Sequence, residues 1–201
     1  MKKQWIWISV LLVFLSVLSL AQADGAIPFL NTQEEKEPNG QFSFRNGVQW
    51  GMNLERVKTC EEGSFIERSQ EEWSILYSMN QVEVSRYVAD LVYMFRLDQL
   101  NMITYDFGNQ TAVSSFSYLQ GALTSVYGEM REEDAMTVVR LMDQIYPGYY
   151  SESLLNQVFG WTAFDGTMIY LYYYGENAYA ILYASPELAL PGSGVYAVNG
   201  L

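Results

Sequence analysis

The chain contains no histidine and a single cysteine, Cys60. Ser-His and Cys-His nucleophile pairs are therefore excluded, as are zinc sites built on histidine or on several cysteines. One cysteine makes no internal disulfide, so the core alone must hold the fold. Cys60 falls at i+3 from Val57 and i+6 from Leu54, on the apolar stripe of a short helix, and reads as a buried, inert thiol. Basic residues are scarce: 11 Lys and Arg stand against 23 Asp and Glu, a formal charge of −12. That balance argues against nucleic acid, whose phosphates need a basic patch, and against anionic membrane surfaces. Acidic charge serves solubility first and attraction to a basic partner second. Also missing are the G-x-x-x-x-G-K phosphate loop, the G-x-G-x-x-G turn and the D-x-D-x-D-G calcium loop. No catalytic residue, cofactor site or metal site is expected.

What is present begins with an export signal. Lys2 and Lys3 precede an apolar stretch from Trp5 to Leu20, and Ala21-Gln22-Ala23 places small residues where a signal peptidase reads. Residues 1–23 are expected to be removed before Asp24. The competing reading is a retained anchor, since the apolar run is only slightly shorter than the roughly 17–25 residues that span a bilayer. No cysteine stands at the cleavage point, so the signal implies release rather than lipid anchoring. The expected location is secreted or extracytoplasmic, with no membrane contact after cleavage.

Residues 24–40, with Asn31-Thr32-Gln33-Glu34-Glu35-Lys36-Glu37-Pro38-Asn39-Gly40, have almost nothing to bury and read as a polar lead-in. A single domain is expected over 41–186, followed by a tail over 187–201. Phe42 and Phe44, Asn46-Gly47 and Val48 to Trp50 spell a short hairpin. Asn53 caps a helix whose inner stripe is Leu54, Val57 and Cys60. From Trp73 the period changes to two, through Ile75, Tyr77 and Met79, then Leu91 to Leu97, then Ile103 to Phe107, with turns at Asn80-Gln81 and Asp98-Gln99. Helices follow over 112–127, stopped by Gly128, and over 133–145, stopped by Pro147-Gly148. A helical turn is expected from Ser151, and the last strands run over 161–164, 167–174 and 178–184. The expected class is α+β: an antiparallel sheet of two meanders packed on helices lying to one side, in an order suggesting two αβββ-like units.

Carboxylates are the only plentiful acid-base groups, and two of them suffice for glycoside hydrolysis. Glu132-Glu133-Asp134 reads as a helix start, and Asp106 as a turn former before Phe107-Gly108-Asn109. The unusual feature is tyrosine, with 16 in the chain. A two-residue loop at Asp165-Gly166 would pair Trp161 with Tyr170 and place Trp161, Tyr170, Tyr172 and Tyr174 on one partly open face, which Tyr179 and Tyr183 would join if the next turn, Gly175-Glu176, also has two residues. A three-residue loop would mix the tyrosines with the alanines of the last strand. Flat aromatic surfaces suit protein partners or the faces of sugar rings, and also serve simply as a half-buried sheet.

The run Phe44-Arg45-Asn46-Gly47-Val48-Gln49-Trp50-Gly51-Met52-Asn53-Leu54-Glu55-Arg56-Val57 resembles a motif of uncharacterised exported bacterial proteins: a strand, then Trp50-Gly51-Met52, then a capped helix. The strand around Tyr93-Met94-Phe95, the stretch from Leu123 to Gly128 and the strand from Trp161 are similar to the same group. The resemblance implies a small exported α+β domain without assigned activity. The layout is also similar in architecture to secreted β-lactamase-inhibitor proteins, without their cysteines.

The function expected from these observations is a non-enzymatic exported domain. It would bind another macromolecule, protein first, through the aromatic face or the acidic surface. The alternative is a carbohydrate-binding module or a carboxylate-only glycoside hydrolase. The hydrolase requires a cleft holding two acids about 5–5.5 Å or about 6.5–9.5 Å apart, beside aromatic rings.

Overall fold

The computed structural model describes residues 43–108, 113–174 and 177–188. The expected signal segment 1–23, the lead-in 24–40, the turn at Gly175-Glu176 and the tail beyond residue 188 lie outside the described residues. Among the described residues, three helices, α1 (Leu54–Cys60), α2 (Val113–Tyr127) and α3 (Ala135–Asp143), pack on one mostly antiparallel sheet. Its nine strands are β1 (Phe65–Gln70), β2 (Trp73–Ser78), β3 (Val82–Val84), β4 (Tyr87–Arg96), β5 (Gln99–Gly108), β6 (Arg131–Glu132), β7 (Leu155–Thr162), β8 (Met168–Tyr174) and β9 (Ala178–Ala184). They lie in the order β1-β2-β4-β5-β9-β8-β7-β6, with β3 beside the start of β4. The class is α+β. No described helix is long and apolar enough to cross a membrane.

Helix boundaries follow local chemistry. The Asn53 side chain accepts from the Arg56 N–H at 2.9 Å, satisfying one of the donors that the first turn of α1 leaves open. Asp134 does the same for α3 through the Met136 N–H at 3.0 Å, so the acidic run before it is indeed a helix start, although Glu132 belongs to β6. Gly128 ends α2 at φ +87°, a conformation that costs glycine nothing. The expected first hairpin shrinks to one bridge, Ser43 to Gln49, around a 3-10 turn over Arg45–Gly47. Beyond it, Gly51 and Met52 bond the Leu100 backbone in both directions, at 3.1 and 2.9 Å. The Trp50 Nε1–H donates to Thr167 Oγ1 at 2.8 Å. The Trp50-Gly51-Met52 segment thus ties α1 to both halves of the sheet.

The sheet is covered on both faces, a correction to the expectation of helices on one side only. On one face, Leu54 and Val57 of α1 and Phe116, Leu119 and Leu123 of α2 bury Leu91, Tyr93, Phe95, Ile103, Tyr105, Ile169, Leu171 and Ile181, with Cys60 half-buried at the margin. On the other, Val138, Leu141 and Met142 of α3 join Ile145 over Met94, Met102, Val158, Ala180, Leu182 and Ala184. The strands β2, β4, β5, β7, β8 and β9 contribute residues to both layers, as a period of two requires.

The hairpin from β7 to β8 has a three-residue loop, Phe164-Asp165-Gly166. Ala163 and Thr167 close it at 2.9 Å, Gly166 bonds back to Ala163 at 3.0 Å, and Gly166 sits at φ +89°. Trp161 therefore stands opposite Ile169, not Tyr170, and Tyr170 faces Gly160. Because Tyr174 pairs with Ala178, the β8–β9 loop also has three residues. A change of one residue in a loop moves a strand's side chains to the opposite face, so this register redistributes the aromatic residues.

Candidate functional site

The six aromatic residues expected on one face are divided between two. Trp161, Tyr179 and Tyr183 lie beneath α1 and α2, whereas Tyr170, Tyr172 and Tyr174 lie on the α3 side. All but Tyr174 are at most 5 % exposed. Burial is tolerable because a phenol can satisfy its hydroxyl while its ring packs. Tyr179 donates to Ser115 Oγ at 2.9 Å, and its ring stacks on Phe107 at 4.9 Å. Desolvation drives the hydroxyls of Tyr172 and Tyr183 well above the ordinary phenol range, so they stay neutral.

What remains open is a cleft of about 360 Å³ on the α3 side, beyond the end of α3. Its floor is sheet: Val92 and Met94 from β4, Thr104 and Asp106 from β5. Met142 borders it, and the chain leaving α3 arches over it. Tyr146-Pro147-Gly148-Tyr149 form a turn closed by the Tyr149 N–H on the Tyr146 carbonyl at 3.1 Å. Proline favours the second place of such a turn, and glycine meets the positive φ, +73°, of the third. The Gly148 N–H also donates to Asp143 Oδ1 at 2.6 Å, anchoring the arch to the last turn of α3.

Four tyrosines wall the cleft. Tyr149 and Tyr150 meet edge to face at 5.2 Å, and Tyr146 lies 6.4 Å from Tyr149 and 6.3 Å from Tyr150. Tyr77 of β2 closes the far side, its hydroxyl 2.6 Å from that of Tyr146. Arg68 of β1 holds its guanidinium 5.7 Å from the centre of the Tyr77 ring. Arg68 and Tyr149 are the exposed lining residues and mark the mouth.

Two polar groups sit inside. Asp106 accepts at Oδ1 from the Gly108 N–H at 2.8 Å and from the Tyr174 hydroxyl, which leaves Oδ2 unused among the described residues. Thr104 is only 6 % exposed, and its Oγ1 has no hydrogen-bond partner among the described residues. A buried hydroxyl with no partner costs about 1–3 kcal/mol, so a native structure that keeps one asks for a reason. The Tyr150 hydroxyl is pushed up to about 12, first by desolvation and then by the Asp106 charge. Tyr146 and Tyr174 are raised further, chiefly by burial and then by their hydrogen bonds to Tyr77 and Asp106. The cleft thus offers phenol hydroxyls, one carboxyl group and one guanidinium.

A second cleft, of about 290 Å³, lies between the end of α1 and β3 and is lined by Arg45, Glu61, Glu62, Asn80 and Glu83 among others. Glu61 is buried there, ion-paired to Arg45 at 3.0 Å, accepting from Asn46 Nδ2 at 3.0 Å and bonded by the Tyr93 hydroxyl. Those three partners occupy it structurally. In these two clefts, ring walls and grouped carboxylates are thus separated. Among the described residues, no group of three or more potential ligands stands close enough to hold a metal ion.

Of the six aromatic residues expected on one face, Tyr174 alone among the described residues touches the first cleft's machinery, through Asp106. Asp106 does bond its own turn, as expected, but it also forms the polar end of the cleft. The tyrosines of the arch were legible as the run Tyr146-Pro147-Gly148-Tyr149-Tyr150, in which a turn signal is flanked by rings. Thr104 and Arg68 carried no such signal. In comparison with known proteins, no family model matches the chain, no curated protein matches it in sequence and no solved structure matches its fold.

Proposed function

We propose that the chain is an exported, non-enzymatic domain that binds another macromolecule, and that binding occurs at the cleft beneath the Tyr146–Tyr150 arch. The observation that carries this reading is the unpaired Thr104 hydroxyl on the floor of an open, ring-walled cleft that also contains an incompletely used carboxylate. Clefts of roughly 300–1,000 Å³ with few convergent polar groups are the usual seats of ligands. The mouth at Arg68 continues onto β1, where every residue from Ile66 to Gln70 is exposed, so a chain-like ligand has room to run on.

Without histidine, and with one carboxylate beside the rings, the cleft's chemistry supports holding rather than cleaving. The order of elements, α1 ahead of β1 to β5 on one side of the β5–β9 seam and α2, β6 and α3 ahead of β7 to β9 on the other, lends support to reading the domain as two αβββ-like units, each enlarged. A protein partner retains separate support from the acidic charge and from β1, an edge strand able to pair with another chain.

The test immobilises the protein against envelope and culture-medium fractions of the producing cell, in parallel with its Tyr149→Ala variant. Tyr149 is 71 % exposed, so its removal leaves the core intact. Retention of a macromolecule that falls at least tenfold in the variant supports the reading; equal retention, or none, refutes it.

A further inference from the structure

Resting on that reading of the cleft, we infer that its occupant is an uncharged sugar ring of a glycan, stacked against the arch tyrosines and hydrogen-bonded to Asp106 and Thr104. The chemistry of the lining narrows the choice. A purely apolar occupant would leave the already buried Thr104 Oγ1 without a partner and would seal Asp106 Oδ2 away from water with nothing to bond. A small anion would enter against the Asp106 carboxylate. A cationic side chain would find its place above Tyr77 already taken by Arg68, whose charge stands at the mouth.

A sugar ring meets each demand together. Its C–H face packs on a phenol ring. Its hydroxyls donate to Asp106 Oδ2, an acceptor only, and exchange a bond with the Thr104 hydroxyl, which both donates and accepts. Arg68 at the mouth donates to a ring or glycosidic oxygen. One of the Tyr77 and Tyr146 hydroxyls, 2.6 Å apart, donates to the other, and the accepting hydroxyl keeps its own hydrogen free to donate to the ligand. A volume of about 360 Å³ lies at the small end of the ligand-cleft range, in keeping with one or two rings while the rest of the glycan extends over β1.

The experiment titrates the full exported protein with gluco-, galacto- and manno-configured disaccharides, with N-acetylhexosamine disaccharides and with a lysine- and arginine-rich peptide, following heat of binding and tyrosine fluorescence. Wild type is expected to bind at least one neutral disaccharide saturably. Tyr149→Ala, Thr104→Val and Asp106→Asn should each weaken it about tenfold or more, with unchanged circular dichroism. Added salt should leave the affinity within twofold. If none of the neutral sugars binds, the inference is overturned. If the basic peptide binds instead, and Tyr149→Ala weakens it, the cleft stands as a binding site but its occupant is a protein side chain. If a sugar binds and Tyr149→Ala and Thr104→Val both leave its affinity unchanged, the inference also fails, because the sugar is seated elsewhere.

Discussion

Tyr174 on β8 reaches across β9 to donate its hydroxyl hydrogen to Asp106 on β5, two strands away. The intervening strand presents Ala178 and Ala180 on that face, paired with Tyr174 and Asp106 respectively. Methyl side chains leave the space that lets the phenol lie over the sheet. The carboxylate at the end of the cleft is thus held by a residue that does not line it.

Replacing Tyr174 by Phe removes that donor while keeping the ring. A hydrogen bond to a charged group contributes about 1.5–3 kcal/mol, reduced here because Tyr174 is only half-buried. A loss of about 1–2 kcal/mol in urea unfolding at neutral pH is expected, together with weaker ligand binding. The native hydroxyl titrates well above the ordinary phenol value, so its contribution is complete below pH 10 and declines as pH rises further. The difference between wild type and Y174F should therefore be flat from pH 6 to 9 and narrow only in stronger alkali.

Ala180→Leu should fill the passage beneath the Tyr174 ring. Ala180 is 1 % exposed and its neighbours are packed, so overpacking costs about 1–3 kcal/mol. Thermal denaturation would show the loss. A variant as stable as wild type would mean that this face has room to spare.

The β7–β8 loop offers a matched pair. Phe164 is 66 % exposed, and Phe164→Ala should change stability by less than about 0.5 kcal/mol. Gly166 sits at φ +89°, and a Cβ there would lie 3.2 Å from the Pro186 Cβ. Gly166→Ala should cost about 1–2 kcal/mol, from backbone strain with the added crowding. Equal effects in equilibrium unfolding would contradict the three-residue loop.

Glu61 supplies a pH signature. Burial raises its carboxyl above the usual range, and the Tyr93, Arg45 and Asn46 interactions oppose this without cancelling it. A raised native value means that the folded state binds the proton more tightly than the unfolded chain does. The contribution of Glu61 is then fully present near and below pH 4.5 and is lost as pH rises through the native value. Relative to Glu61→Gln, which does not titrate, wild type should gain stability as pH falls from neutral toward 4.5. Urea unfolding of both proteins across that interval measures the trend, and a widening deficit on acidification would be the opposite result.

Local patterns carried much of the architecture. Asn53 and Asp134 cap their helices, Gly128 stops α2, and the alternation in β2, β4 and β5 sorts side chains to the layers observed. The short strands β3 and β6 went unread, and so did β1 and the first part of β7, the last two for identifiable physical reasons. β1, Phe65–Gln70, is an edge strand with five exposed residues, so it has no buried face to show as a period of two. The first part of β7 carries a bulge, with Gln157 at φ 49°, that breaks its alternation. The tyrosine face failed on two loop lengths: the three-residue loop at Asp165-Gly166 parts Trp161 from the β8 tyrosines, and the three-residue loop after Tyr174 parts those from Tyr179 and Tyr183.

Read alone, the residues determine a chain without histidine chemistry or a disulfide, strongly acidic and rich in tyrosine, that folds into the α+β class. Those properties belong to composition and to contacts a few residues apart, which any reader of the chain can see. Only the tertiary structure decided which tyrosines are core and which are surface, because that choice depends on α3 covering the second face of the sheet. It also decided where a ligand has room. Thr104, Asp106, Arg68 and the arch are separated in sequence, and only the β1-β2-β4-β5 order and the turn after α3 bring them to one cleft.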